Sequence, residues 1–253
     1  MSSYFPKTSG WPERLWRNNN LIDIARGNVP GSRPYTAFGN RTTDGAEDNI
    51  IVTETGMPAS FIVPNRIQLS VVSTSASDIG RVKVRYLDGA LMERVESVQL
   101  NGTTPVLTVA DDIRAINNAY YIDGAGVVGT VTGTSGGVTY MVIPAGSIQF
   151  NTTMQRVPAG KRLMINALYA GAISGSAAAR CMVKLETTFI NGDSFADQGI
   201  LHPVAAIGAQ DNSTALGGVG PFPVHAGEWI GLTSSCDKAA DITAGYFGWL
   251  EDE

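Results

Sequence analysis

The sequence predicts an all-β protein, an antiparallel jelly-roll-like β-sandwich with an extended N-terminal arm. From about residue 67 onward, short segments of alternating polar and apolar residues are separated by turns of small residues. Residues 81–87 alternate at period two, and residues 93–100 do so again before an Asn-Gly turn. This alternation is typical of strands with one buried and one solvated face, joined by hairpins.

Nine segments carry the strand pattern. They are residues 68–73, 81–87, 93–100, 127–132, 139–143, 162–169, 180–190, 228–234 and 241–249. Pro-Ala-Gly turns at 144–146 and 158–160 suit the corners of a jelly roll, because proline presets φ and glycine accepts positive φ. We therefore assign residues 58–253 to the β-sandwich region, as one sandwich or as two small ones split near residue 157.

Residues 1–57 read differently and are predicted to form the extended arm. A helical turn over 11–17 is followed by an asparagine run, and prolines at 30 and 34 disfavour helix in the residues before them. Two interpretations of the arm's aromatic and arginine side chains stay open. They cover the end of the chain's own sandwich, or they anchor the arm on a neighbouring subunit. The candidate interface residues are Trp11, Trp16, Arg17, Arg33, Tyr35 and Phe38.

Composition argues against several classes of partner. The net charge is −5 and no Lys/Arg cluster occurs, so no nucleic-acid partner is predicted. No apolar run approaches the roughly 18–20 residues that span a bilayer, and the first residues lack the pattern of a signal peptide. Paired strands could join Cys181 to Cys236, but in a protein made in the cytosol we interpret them as two buried thiols.

Two motifs resemble catalytic machinery, and each lacks the context that its chemistry needs. The glycines at 124, 126 and 129 match a dinucleotide-binding pattern, but no helix follows to meet a pyrophosphate. Gly192-Asp193-Ser194 resembles a hydrolase nucleophile block without the downstream Asp-x-x-His.

Acids and histidines give no clearer sign of an active site. The acids at 93, 96 and 186 occupy outward strand positions and are expected to be solvated, and the two histidines are not at metal-ligand spacing. We predict a non-enzymatic protein with no catalytic, cofactor-binding or metal-binding residues, and no cofactor.

A long segment rich in Gly, Ala, Asp and Pro occupies residues 192–224. We predict a loop here, and a loop of this size is usually functional or contact-making. It is a second candidate for contact with a partner protein or a glycan.

Several segments together resemble a family of virion proteins of tailed bacteriophages. They are residues 24–32, 38–40, 69–78, 86–89, 98–106, 157–161 and 245–250. The similarity spans most of the chain, and its motifs are turns and strands, which specify a fold better than a role. The chain has Ser32 where the family pattern has histidine. The resemblance implies a structural component of the virion, assembled in the host cytoplasm.

With the low charge and the Trp-bearing arm, this resemblance leads us to predict a capsid decoration, or cement, protein that forms a homotrimer on the outer shell. Its partners would be its own copies and the major capsid protein or other virion proteins, with no membrane involved. A tail, adaptor or fibre component is the alternative within this class. A carbohydrate-binding module is the alternative from another class. Its aromatic candidates, which we favour as core or interface, are Trp229, Tyr246, Phe247 and Trp249.

Deletion of residues 1–20 tests the anchoring interpretation. Ordering a segment costs about 1–2 kcal/mol per residue in backbone entropy, and each buried aromatic returns about 2–3 kcal/mol, so the arm should order only against a neighbour. We expect the truncated protein to unfold at the same temperature as the full chain but to co-sediment less with virions. Undiminished co-sedimentation would contradict the anchoring role and favour residues 192–224.

Overall fold

The computed structural model describes residues 22–45, 50–54, 56–57, 63, 65–173, 179–187, 202–209, 213–217 and 221–253; for 202–209 and 213–217 only the backbone is described. Within these ranges a single helical turn at 22–25 precedes a succession of antiparallel strands. The all-β sandwich prediction is confirmed. Its jelly-roll connectivity stays a prediction. No helix among the described residues has the length and hydropathy needed to cross a membrane.

Seventeen strands are described along the chain. They are β1 (Arg33–Asp44), β2 (Ile50–Ile51), β3 (Ser70–Ser73), β4 (Arg81–Leu87), β5 (Glu93–Gln99), β6 (Val106–Leu107), β7 (Ala115–Tyr121), β8 (Val131–Ser135), β9 (Val138–Ile143), β10 (Gln155–Arg156), β11 (Lys161–Ile173), β12 (Ala179–Thr187), β13 (His202–Ala209), β14 (Ser213–Gly217), β15 (Phe222–Val224), β16 (Trp229–Cys236) and β17 (Ala239–Asp252).

Strands β1 and β2, together with β10 to β17, form one sandwich, which we call the base sandwich. One of its sheets has the order β1-β17-β11-β14, with β15 also on β11, and the other has the order β10-β16-β12-β13, with β2 also on β16. Alternating side chains of both sheets meet in one buried core, since each strand turns every second residue inward. Ile165, Val183, Leu232 and Ile242 lie at its centre and are fully buried.

The middle of the chain builds a second sandwich, which we call the insert sandwich. Its sheets have the orders β6-β3-β8-β9 and β5-β4-β7. Their inward residues, among them Val71, Val84 and Met141, form a separate core. All seven strands lie between β2 and β10 in the sequence, so the insert interrupts the base sandwich rather than preceding it.

The arm assignment needs correction for residues 33–44, which form strand β1 of the base sandwich and not an arm outside it. Each residue of β1 pairs with one of β17, from Arg33 opposite Leu250 to Asp44 opposite Ala239. Inward positions Tyr35 and Ala37 are buried in the base core. The partner strand lies about 200 residues away in sequence, and no local pattern announces such a pairing.

The nine predicted strands all overlap observed ones, and two further regions differ. The segment 192–224, predicted to be a loop, contains β13, β14 and β15. Its small residues concealed the strands, because glycine and alanine give weak strand signals. β8 begins at residue 131 rather than 127.

Cys181 and Cys236 form a disulfide, which corrects their interpretation as free buried thiols. They lie directly opposite each other on β12 and β16, with 4.2 Å between their Cα atoms. Both face the base core and are nearly buried. The pairing register of β12 and β16 places the two cysteines opposite each other. Because they are 55 residues apart in sequence, the sequence alone does not reveal that register.

Replacing both cysteines by alanine should destabilise the protein. A cross-link restricts the unfolded chain, and for a loop of this length its loss costs about 2–4 kcal/mol of unfolding free energy. Urea denaturation of the oxidised protein measures the effect. The exposed neighbour Met182 supplies the control, since Met182→Ala should change stability by less than about 0.5 kcal/mol. Equal stability of the double variant and the oxidised parent would contradict a structural disulfide.

Candidate interaction surfaces

The two sandwiches meet at a buried polar contact that we call the joint, formed by Tyr35, Asn117, Gln155 and Arg156. The Asn117 carboxamide donates to the carbonyl of Arg156 (2.8 Å) and accepts from its backbone N–H (2.9 Å). The Gln155 amide in turn donates to the carbonyl of Asn117 (2.7 Å). Asn117 thereby bonds to the backbone of β10 as a neighbouring strand would. All four residues of the joint are buried, so these hydrogen bonds form inside the protein.

A β-bulge places Asn117 at the joint. Arg85 of β4 lies opposite Asn118 of β7, and the next residue, Tyr86, lies opposite Ile116, so Asn117 is the extra residue. A bulge rotates its residue out of the ladder and re-aims the side chain. Sequence reasoning missed this residue. The signal was the Asn117-Asn118 pair inside a strand-like run, since asparagine is depleted from regular strands.

Tyr35, a predicted interface residue, reaches the same joint from β1. Its hydroxyl donates to Gln155 Oε1 at 2.6 Å. Burial, reinforced by the charge of Glu93, raises the pKa of Tyr35 well above its ordinary value, against the opposing effect of Arg33 and Arg85. Tyr35 therefore stays protonated and serves as a hydrogen-bond donor inside the chain.

Arg33 crosses from the base to the insert sandwich at the surface. Its Nη2 lies 2.7 and 2.6 Å from the two carboxylate oxygens of Glu93 on β5. The two side chains are partly exposed, so the pair is worth at most about 1 kcal/mol. The pair links β1 of the base sandwich to β5 of the insert sandwich. Glu93, expected to be solvated, is thus engaged within the chain.

The remaining candidates fall elsewhere. Phe38 lies on the outer side of β1, away from the joint, and is 38% exposed. Trp11, Trp16 and Arg17 lie outside the described residues, as does Ser194 of the hydrolase-like motif. The structure therefore brings Arg33 and Tyr35 together and separates Phe38 from them.

Phe38 belongs to an uncharged surface that we call the neutral face, on the outer side of the β1-β17-β11 sheet. The strand register arranges its side chains in three rows. The rows are Thr36–Phe247–Ala167, Phe38–Gly245–Tyr169 and Asn40–Thr243–Gly171. None of these nine residues is charged.

Aromatic side chains dominate the middle of the neutral face. A Cβ atom at Gly245 would collide with the Tyr169 hydroxyl, which places the Tyr169 ring across that glycine. Phe38 lies on the other side of the same glycine. Burial raises the pKa of Tyr169, so its hydroxyl is protonated at neutral pH.

The helical turn at 22–25 covers the sheet beside the neutral face. Ile24 packs on Met164 and Trp249, which lie one row before Phe247. Of the four aromatics considered for sugar binding, Trp229, Tyr246 and Trp249 are at most 2% exposed. Phe247 is the one that reaches the surface, and there it belongs to the neutral face.

Hydrogen bonding and burial shift the pKa of two further carboxylates, Glu253 and Glu186. No cluster of His, Cys, Asp and Glu in these ranges could hold a metal ion. His225 Nδ1 lies 2.7 Å from Glu253 Oε1, a hydrogen bond that lowers the pKa of Glu253. The expectation that Glu186 is solvated is wrong. It is 7% exposed and accepts from the Thr233 hydroxyl at 2.8 Å, and burial raises its pKa.

No protein-family model matches the chain, and no curated protein matches it significantly. Among solved structures it is similar to the VP2 subviral particle of infectious bursal disease virus, at 11% identity and a TM-score of 0.27, over 92% of this chain and 77% of the other. It is also similar to the Gx strain structure of that virus, at 11% identity and a TM-score of 0.25, over 87% and 71%. A likeness this distant carries no argument about function.

Asn117→Ala should destabilise the joint. The substitution leaves the buried N–H and C=O of Arg156 without their partners, which costs about 2–3 kcal/mol of unfolding free energy. Asn101→Ala, at an exposed position outside the neutral face, is the control and should change stability by less than about 0.5 kcal/mol. Urea denaturation compares the two. If both variants unfold at the same urea concentration, Asn117 does not hold the sandwiches together.

Proposed function

We propose that the chain is a non-enzymatic structural protein of a virion, and that it serves as a capsid decoration protein that assembles as a homotrimer on the outer shell. The observation that carries the proposal is the neutral face, whose rings and small polar groups are typical of a subunit contact. The phage-like motifs of the sequence supply the virion context.

The composition of the neutral face favours association over exposure to water. Charged residues are depleted from the centres of protein interfaces, where aromatic residues are enriched. Phe38, Tyr169 and Phe247 provide such aromatics on three adjacent paired strands. Because these strands form one continuous sheet, the rings are held at set spacings before a partner arrives, which lowers the entropy lost on binding.

The joint supports a structural role in a second way. Its buried hydrogen bonds tie the base and insert sandwiches to each other, since Asn117 and Arg156 belong to different sandwiches. A subunit whose two halves hold one relative position suits repeated contacts on a shell.

A tail, adaptor or fibre role is the alternative, because the same face would serve there. Copy number separates the two. Particles purified from infected cells and run on a quantitative gel should contain hundreds of copies if the protein covers the shell. A few tens of copies or fewer would place it in the tail.

Phe38→Glu tests the neutral face directly. A carboxylate among the rings should break the contact, because its desolvation would not be compensated. Val138→Glu is the matched control, since Val138 has the same 38% exposure on the insert sandwich. Sedimentation equilibrium should give three times the 26.7 kDa monomer mass for the parent and for Val138→Glu, and the monomer mass for Phe38→Glu.

Two outcomes would contradict this assignment. A parent protein that stays monomeric at all accessible concentrations excludes the trimer. A Phe38→Glu variant that remains trimeric places the subunit contact elsewhere on the molecule.

A further inference from the structure

A groove of about 420 Å³ runs along the open side of the insert sandwich. Strand β5 forms one wall, and the segment after β6 forms the other. Its polar lining consists of Tyr86, Asp88, Arg94, Glu96 and Asp112.

The position of β5 at the edge of its sheet explains this lining. Arg94 lies opposite Tyr86 and Glu96 lies opposite Val84, so both point to the core side of the sheet. At a sheet edge this side opens to solvent, and charged residues can occupy it. Glu96 reaches across and accepts from the backbone N–H groups of Val109 (2.6 Å) and Ala110 (3.1 Å).

The groove carries an excess of negative charge. The cation Arg94 is paired with Asp88, with 2.8 Å between Nε and Oδ2. Glu96 and Asp112 form no ion pair with any residue that the structure describes. Asp112 accepts one hydrogen bond, from the N–H of Gly89 at 3.0 Å through Oδ2, which leaves Oδ1 open to a ligand.

Tyr86 brings an unused polar group to the same place. The residue is 8% exposed and lines the groove, and its hydroxyl has no hydrogen-bond partner among the described residues. Burial raises the pKa of Tyr86, and the charges of Glu96, Asp112 and Asp88 raise it further. The hydroxyl itself is not fully buried, so it is open to a ligand in the groove.

The rim of the groove is apolar. Val109 is 88% exposed and lines the groove together with Ala110. A ligand that combines an apolar stem with a positive head group would contact both the rim and the carboxylates. Lysine and arginine side chains have this form.

We propose that this groove binds a lysine or arginine side chain of a partner protein, with the stem against Val109 and the cationic group between Glu96 and Asp112. The Tyr86 hydroxyl accepts a hydrogen bond from the same group. Charge-assisted hydrogen bonds to two carboxylates select a cation over a neutral ligand such as a glycan. The site does not depend on the proposed virion role, because its chemistry is complete in the single chain.

Titration of the ¹⁵N-labelled protein with N-acetyl-arginine methylamide tests the proposal. The amide resonances of Gly89, Val109 and Ala110 should shift, because their N–H groups bond to the groove carboxylates. N-acetyl-citrulline methylamide, which has the same shape without the charge, should leave them unchanged. Shifts of equal size with both compounds, or no shifts with the arginine compound, would overturn the cation site.

Matched variants locate the effect within the groove. Asp112→Asn should weaken binding of the arginine compound by roughly fivefold, as expected for loss of one partly exposed ion pair. Asp111→Asn, which removes the same charge from an adjacent exposed residue outside the lining, should leave binding unchanged. Glu96→Gln provides a second variant if Asp112→Asn alters the spectrum beyond the groove. Equal losses in the Asp111 and Asp112 variants would mean a diffuse charge effect and no defined site.

Discussion

The pairing of β1 with β17 is the constraint on which the other features of the molecule depend. It pairs the first strand of the described chain with the last, so the base sandwich is built from both ends of that chain. Its register sends Tyr35 inward to the joint and Phe38 outward to the neutral face. A slip of one residue would exchange the two faces of β1. The joint and the neutral face therefore require the same register.

The joint shows how a polar contact can unite two apolar cores. Each sandwich buries its own hydrophobic residues, and the described apolar clusters are separate except where residues such as Trp229 of the base join the insert core. Between them, Asn117 replaces a missing strand neighbour for β10. These buried hydrogen bonds favour one arrangement, because any other would leave the backbone N–H and C=O of Arg156 without these partners. The position of the insert relative to the base follows from that requirement.

The two proposed contacts differ in their chemistry, and so they respond differently to the solution. At the neutral face, the proposed association would depend on apolar and aromatic burial, which salt hardly weakens. The groove relies on exposed carboxylates, whose attraction for a cation is screened as ionic strength rises. Raising the salt concentration therefore separates a partner held at the groove from one held at the neutral face.

The all-β class and most of the strands were determined by the sequence alone. In residues 81–87 and 93–99, for example, alternation at period two is a local property that neighbouring residues express without help. Which strands pair was decided only by the tertiary structure. Strand pairing in the tertiary structure places Cys181 opposite Cys236 and makes residues 33–44 a strand. Contacts between the strands place Asn117 against β10 and Glu96 against the segment after β6. These placements depend on hydrogen bonds and packing between residues far apart in the chain. Sequence periodicity reports only the local conformation of neighbouring residues, so it could not predict them.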